Sequence, residues 1–207
     1  MNTLIIVDVQ NDFMPGGSLE VPGGDSIIQV INRLQNKFDL VVATQDWHPA
    51  DHMSFASNHM DKKPFDKVEW RGLEQVLWPD HCVHNTKGAE LHRELTSEKI
   101  EAIFRKGMDR NIDSYSGFYD NGHEKNTGLA GYLRERNAGE LYFCGLAADV
   151  CVQFTIKDAL KEGFSATLIE DATRPIDPDE FEKIKTQLSD DNCKIINSNE
   201  FSAQAGP

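Results

Sequence analysis

The sequence predicts an α/β fold, a three-layer, doubly wound and mostly parallel sheet of six strands with helices on both faces. Three observations lead there. Short apolar runs alternate with amphipathic stretches along the whole chain, which is the order of a sheet built by helical crossovers. The first two runs, TLIIVDV at 3–9 and LVVAT at 40–44, are continuous instead of alternating, as expected of parallel strands buried on both faces. The stretch 141–163, LYFCGLAADVCVQFTIKDALKEG, passes from an apolar run through a glycine turn into helical spacing. At 207 residues, the chain reads as one domain, 1–207, large enough to bury such a core without disulfides.

In order, strand 3–9 leads into a loop of turn formers at 10–24 and then a helix at 26–37, where Ile27, Val30, Ile31 and Leu34 share a face. Strand 40–44 follows. The stretch 59–77 is polar and aromatic, without a clear period. EAIFR at 101–105 supplies the third strand, a long irregular loop fills 108–122, and 127–137 suits a helix. Strand 141–144, helix 150–162, strand 165–169, an acidic helix at 177–188 starting near Pro178 and a last strand at 193–196 complete the sheet. Residues 197–207 read as a polar, mobile tail.

Composition narrows the function. A formal charge of −13 with few basic clusters disfavours nucleic acid, and no apolar stretch approaches the ~18 residues of a membrane span. The N-terminal run is broken by Asp8 and has no basic lead, so no secretory signal is expected. Cys82, Cys144, Cys151 and Cys193 lack a repeating spacing, which suits reduced thiols in the cytoplasm. Small-molecule chemistry is the remaining class.

In a sheet of this kind, ligands bind beyond the carboxyl ends of the strands. Asp8, Asp46, Lys106 and Cys151 all end or follow strands, and so share one rim. An aspartate in a buried strand needs a partner or a task. Cys151 lies where Asp149 is positioned to cap a helix, and a first helical turn favours a thiolate. An acid, a lysine and a cysteine together form a base, a charge balance and a nucleophile. Asp46 and His48 are two apart with Trp47 between them, so their side chains project to one side of an extended segment. His81, led in by Trp78 and Pro79, is the candidate for a third ligand in a cation site with open positions. His84 and His92 sit among polar residues and read as surface histidines. Each feature has a bland alternative: an ion pair for Asp8, a solvated loop for the DxH pair, a solvated lysine for Lys106 and a buried hydrophobe for Cys151.

Six segments together decide between these readings. LIIVDVQNDF at 4–13, DWHPADH at 46–52, WPDHC at 78–82, FRKG at 104–107, YSGF at 115–118 and GLAADVCV at 145–152 resemble, in order and spacing, the nicotinamidases of the isochorismatase-like hydrolase superfamily. The resemblance implies an isochorismatase-like fold and an amidohydrolase that converts nicotinamide to nicotinate and ammonia through a cysteine thioester. It implies a catalytic triad of Asp8, Lys106 and Cys151, and an oxyanion hole of the Ala147 and Cys151 backbone N–H groups with a cis Leu146–Ala147 peptide. It further implies a pocket lined by Phe13, Trp78 and Tyr115, and one divalent metal on Asp46, His48 and His81 that orients the pyridine ring. Zinc suits these ligands, with iron or manganese as alternatives. His52 is left between direct ligand and contact through water. The expected partners are nicotinamide or pyrazinamide, with self-association open and neither nucleic acid nor membrane involved. The competing readings are another small-amide or carbamoyl hydrolase of the superfamily, and a non-catalytic metal-binding or redox-sensing protein.

Overall fold

Burial fixes the middle of the sheet. In the computed structural model, which describes residues 1–201, β1 (Asn2–Val7) is buried from Thr3 onward and all seven residues of β2 (Leu40–Asp46) are buried. A strand with no solvent-facing side can only be central. Six strands form one parallel sheet, with β5 (Ile100–Lys106), β2, β1, β6 (Glu140–Leu146), β7 (Ser165–Arg174) and β8 (Lys194–Ile196) in that spatial order. The chain winds outward from β1 in one direction and, after β5, from β6 in the other. The order therefore reverses between β1 and β6, and the crevice beyond their carboxyl ends is where such sheets bind ligands.

Side-chain alternation along β1 divides the core. Leu4 and Ile6 pack on one face with Ile28, Ile31 and Leu34 of α1 (Ile28–Gln35), while Ile5 and Val7 pack on the other. That second face is covered by α2 (Leu129–Glu135), α3 (Gln153–Lys161) and α4 (Pro178–Asp190). A single helix cannot cover six strands, so loops complete the first face, bringing Phe13, Leu19, Trp78 and Cys82 into its core. These loops carry much of the site.

The expected fold class holds, and four local expectations change. The stretch 59–77, expected to be aperiodic, contains an antiparallel hairpin of β3 (Lys67–Trp70) and β4 (Leu73–Val76). Its strands are half exposed and bury a polar residue, Gln75, so they show no apolar alternation, which is why the pattern gave no signal. Strand β7 runs five residues beyond Ile169, with its register against β6 jumping from Phe143–Leu168 to Gly145–Thr173. The mobile tail expected at 197–207 is docked through Phe201, which stacks on Phe38 at 4.4 Å, while Ser198 N–H donates to Asp171 at 2.7 Å. The part of that expectation on residues 202–207 lies outside the described residues. Finally, Asp149 does not cap a helix: a wide π-type turn, Ala148–Val152, precedes α3, and its carboxylate accepts from Ile176 N and Asp177 N.

Candidate active site

The parallel ladder brings the rim residues together. Asp46 and Lys106 are register partners at the ends of β2 and β5. Asp8 leaves β1 in a left-handed conformation, φ 47°, which aspartate tolerates better than most residues. Across the switch point, the last residue but one of β6 is Gly145, where an added Cβ would lie 2.0 Å from Val7 O; only glycine lets the strand pass so close to β1. The Leu146–Ala147 peptide is cis, and the turn that follows carries Cys151.

Lys106 is the hub. Its ammonium lies 2.5 Å from Asp46 Oδ1, 2.9 Å from Asp8 Oδ2, 2.9 Å from the Ser114 carbonyl oxygen and 3.4 Å from Cys151 Sγ. The approach to Asp8 Oδ2 is an ion pair outside hydrogen-bond geometry, which leaves that oxygen without a donor. Asp8 Oδ1 accepts the Thr44 hydroxyl at 2.6 Å. One carboxylate oxygen each from Asp8 and Asp46 and the Cys151 sulfur lie within 4.8 Å of one another. All four side chains are buried.

Burial and charge set the protonation states. Burial pushes Asp8 up, and Lys106 and the Thr44 hydroxyl only partly offset it. Burial acts on Asp46 in the same direction, but Lys106 together with His48 and His81 outweighs it and holds this carboxyl well below the usual range. Burial alone would discharge Lys106, yet Asp46 and Asp8 keep it firmly ionised. For Cys151, burial raises the thiol well above its ordinary value and Lys106 pulls it only part of the way back. The thiolate expected from the helix start is therefore not the resting form, because desolvation and two carboxylates exceed a dipole effect worth under ~2 kcal/mol.

The second constellation lies beside the first. His48 Nδ1 faces the Gly107 carbonyl at 2.9 Å and His81 Nδ1 faces the Pro79 carbonyl at 2.8 Å. A carbonyl only accepts, so both Nδ1 atoms carry the proton and both Nε2 atoms are turned to the site; burial lowers His48, but the Asp46 carboxylate outweighs it and raises the imidazole above its ordinary value. Those atoms point to Asp46, at 3.6 Å from Oδ1 for His48 and 3.8 Å from Oδ2 for His81. Two imidazoles oriented by backbone carbonyls, plus an ionised carboxylate, could hold a divalent metal with open positions, the cation replacing any proton at Nε2. Gly107, at φ 66°, makes room for this: a Cβ there would sit 2.3 Å from His48 Cε1. His52 packs on the His48 ring at 4.4 Å, accepts the Ser54 hydroxyl at 2.7 Å and donates to the Ile112 carbonyl at 3.3 Å. Burial and the neighbouring His48 push it down to about 4, so it is neutral. His84 is exposed and His92 half-buried.

A cleft opens onto both groups. Phe13, Trp78 and Tyr115 line it with Cys151, Ala147, Asp46 and His81, so the structure brings all the sequence candidates to one place. It also adds residues that single-residue reading missed. Leu19, Val150 and Ile176 supply apolar wall, and Asp113 supplies an acid whose oxygens accept from Gln75 Nε2 and Ser114 N. Gln10 pins Asp46 from behind, accepting from its N–H and donating to its carbonyl, both at 2.8 Å. The only sequence signal for Gln10 was its place inside the LIIVDVQNDF segment.

The isochorismatase domain model matches residues 2–200. The nicotinamidase of Acinetobacter baylyi is 52% identical over 174 residues, covering 84% of this chain and 81% of that protein. The solved Acinetobacter baumanii nicotinamidase/pyrazinamidase superposes with a TM-score of 0.94 at 44% identity, covering 96% of this chain and 97% of that one. The pyrazinamidase of Pyrococcus horikoshii, solved in complex with zinc, gives 0.79 at 38% identity, covering 95% and 98% of the two chains. The chain belongs to the isochorismatase family, and within it to the nicotinamidases.

Proposed function

We propose that this protein hydrolyses nicotinamide to nicotinate and ammonia, and pyrazinamide by the same route, through a thioester on Cys151. The observation that carries the reading is the buried contact of Cys151, Lys106 and Asp8 at the wall of an aromatic cleft, beside the Asp46, His48 and His81 donor set. Phe13, Trp78 and Tyr115 hold the flat ring, and exclusion of water strengthens each charge in the site. Asp46, His48 and His81 would hold a divalent metal, zinc being the best match, and such an ion would supply a Lewis acid for the pyridine nitrogen.

Asp8 takes the thiol proton as the sulfur attacks the carboxamide carbon; its raised basicity and the sulfur's proximity suit it to that task. The Ala147 and Cys151 N–H groups receive the developing oxyanion. When the C–N bond breaks, Asp8 returns the proton to the leaving nitrogen and ammonia departs. Asp8 then takes a proton from water as the water attacks the thioester. The C–S bond breaks, nicotinate forms, and the sulfur recovers the proton from Asp8. Lys106 stays protonated throughout and offsets whichever of Asp8 and Cys151 is the anion.

Ammonia release from nicotinamide by the purified protein tests this. Turnover by the wild type and its loss in Cys151→Ala are expected; sustained turnover by Cys151→Ala rules out the thioester.

A further inference from the structure

Asp149, two residues before the nucleophile, belongs to none of these roles, and its surroundings are unusual. It is 9% exposed, forms no salt bridge among the described residues, and spends both oxygens on consecutive backbone N–H groups, Ile176 at 2.9 Å and Asp177 at 2.7 Å. Those donors sit in the short loop just past the extension of β7, before α4, 27 and 28 residues further along the chain. The extension exists because β7 jumps register and runs on past Gly145 and Leu146, where the Thr173 hydroxyl donates to the Gly145 carbonyl at 2.6 Å. Asp177 in turn caps α4 by accepting from Asp179 N and Glu180 N, so the anchored loop has a fixed far end. Two cleft-lining side chains hang from the two segments that Asp149 joins: Val150, its neighbour on the nucleophile turn, and Ile176 on the loop.

We infer that Asp149 is a positioning residue that sets the width of the substrate slot, by tying the Ile176 wall to the turn carrying Val150 and Cys151. The clamp makes the site selective for a single flat ring. A salt bridge from a mobile side chain could not hold this spacing as well, because both N–H groups belong to backbone and the acceptor is one rigid carboxylate. The inference rests on the cleft being the nicotinamide site, and the test separates the two claims.

The probes are nicotinamide and the wider, fused-ring quinoline-3-carboxamide, compared by kcat/KM, with active sites counted by alkylation of Cys151. In Asp149→Ala the preference for nicotinamide should fall by about tenfold or more, the scale set by one to two lost hydrogen bonds. KM for nicotinamide should rise while kcat per active site changes little. Ile176→Ala, which widens the slot and leaves the clamp intact, should shift preference the same way. Asp149→Asn, which keeps one acceptor, should fall between wild type and Asp149→Ala. A purely structural role would lower the number of active sites and leave the preference at its wild-type value, and that result overturns the inference. If Asp149→Ala does not fold, an unshifted preference in either Ile176→Ala or Asp149→Asn overturns it instead. Failure of the wild type to turn over nicotinamide would refute the proposed function, a different outcome from an unchanged preference.

Discussion

Thr44→Val isolates the part of the site that makes Asp8 a base. Thr44 Oγ1 donates to Asp8 Oδ1 at 2.6 Å, deep in the core, while Thr44 Cγ2 lies where a Cβ on Gly117 would come within 2.6 Å. Valine keeps that methyl and deletes only the donor. A hydrogen bond to a charged group is worth about 1.5–3 kcal/mol, so if it helps aim the carboxylate, kcat should fall between about tenfold and a hundredfold. KM should change little, because Thr44 does not line the cleft. The pH profile adds a sign. The Thr44 hydroxyl favours the ionised carboxylate, so its loss raises Asp8 further. Activity needs Asp8 ionised; the acid limb of kcat/KM therefore moves to higher pH. Leaving Asp8 Oδ1 without a donor also costs about 1–3 kcal/mol of stability, a drop of several degrees in Tm for a chain of this size. Ammonia release across pH and a thermal melt measure all three effects. Wild-type kcat with an unmoved acid limb would refute the role assigned to Thr44 and, with it, Asp8 as the base.

Lys106→Met removes the cation from between two buried carboxylates and should abolish turnover while costing about 3–5 kcal/mol in denaturant unfolding. Gly107→Ala places a Cβ 2.3 Å from His48 Cε1 and should lower bound metal, measured by elemental analysis, more than it lowers stability. Gln10→Ala deletes three 2.8 Å hydrogen bonds, two of them to the Asp46 backbone. It should cost about 2–3 kcal/mol on melting and weaken metal retention under dialysis against a chelator.

The fold was legible because its signal is one of period and burial. Strands such as Leu4–Val7 and Leu40–Ala43 must be apolar on both sides to be central, and that requirement is written in consecutive residues. The site candidates were legible for a related reason: a charge at the end of a central strand is costly without a partner, so Asp8, Asp46 and Lys106 stand out. What stayed hidden depends on contacts between distant segments. Nothing local to Gln10 marks it as the clamp of Asp46, 36 residues away, and Asp149 looked like a cap because an aspartate near a helix start usually is one. The hairpin 67–76 escaped because its one buried side chain, Gln75, is polar, and its apolar residues are only partly buried or exposed.

Counting charge in the core explains why the triad and the donor set share a residue. Asp8 and Asp46 ionised, Lys106 protonated and Cys151 a thiol leave one net negative charge in a volume closed to water. Moving the thiol proton to Asp8 keeps that total, so the nucleophile can be generated without creating new buried charge. The price of the transfer is then the difference in basicity between sulfur and carboxylate: burial raises the Cys151 thiol as well as Asp8, so the raised Asp8 offsets part of what the raised thiol costs, and Lys106 takes back a further part. Asp46 cannot serve as the base in place of Asp8, because Lys106, His48 and His81 hold it well below the usual carboxylate range and so make it too weak a base. It instead connects the two halves, with Oδ1 on the Lys106 ammonium and Oδ2 facing His81. A divalent cation on Asp46, His48 and His81 would turn the residual negative charge positive and weaken the hold of Asp46 on Lys106, freeing the ammonium to favour the thiolate. Metal removal should therefore slow alkylation of Cys151 by iodoacetamide in the absence of substrate, a readout independent of ring binding. An unchanged alkylation rate on chelation would mean that the donor set acts on the substrate alone.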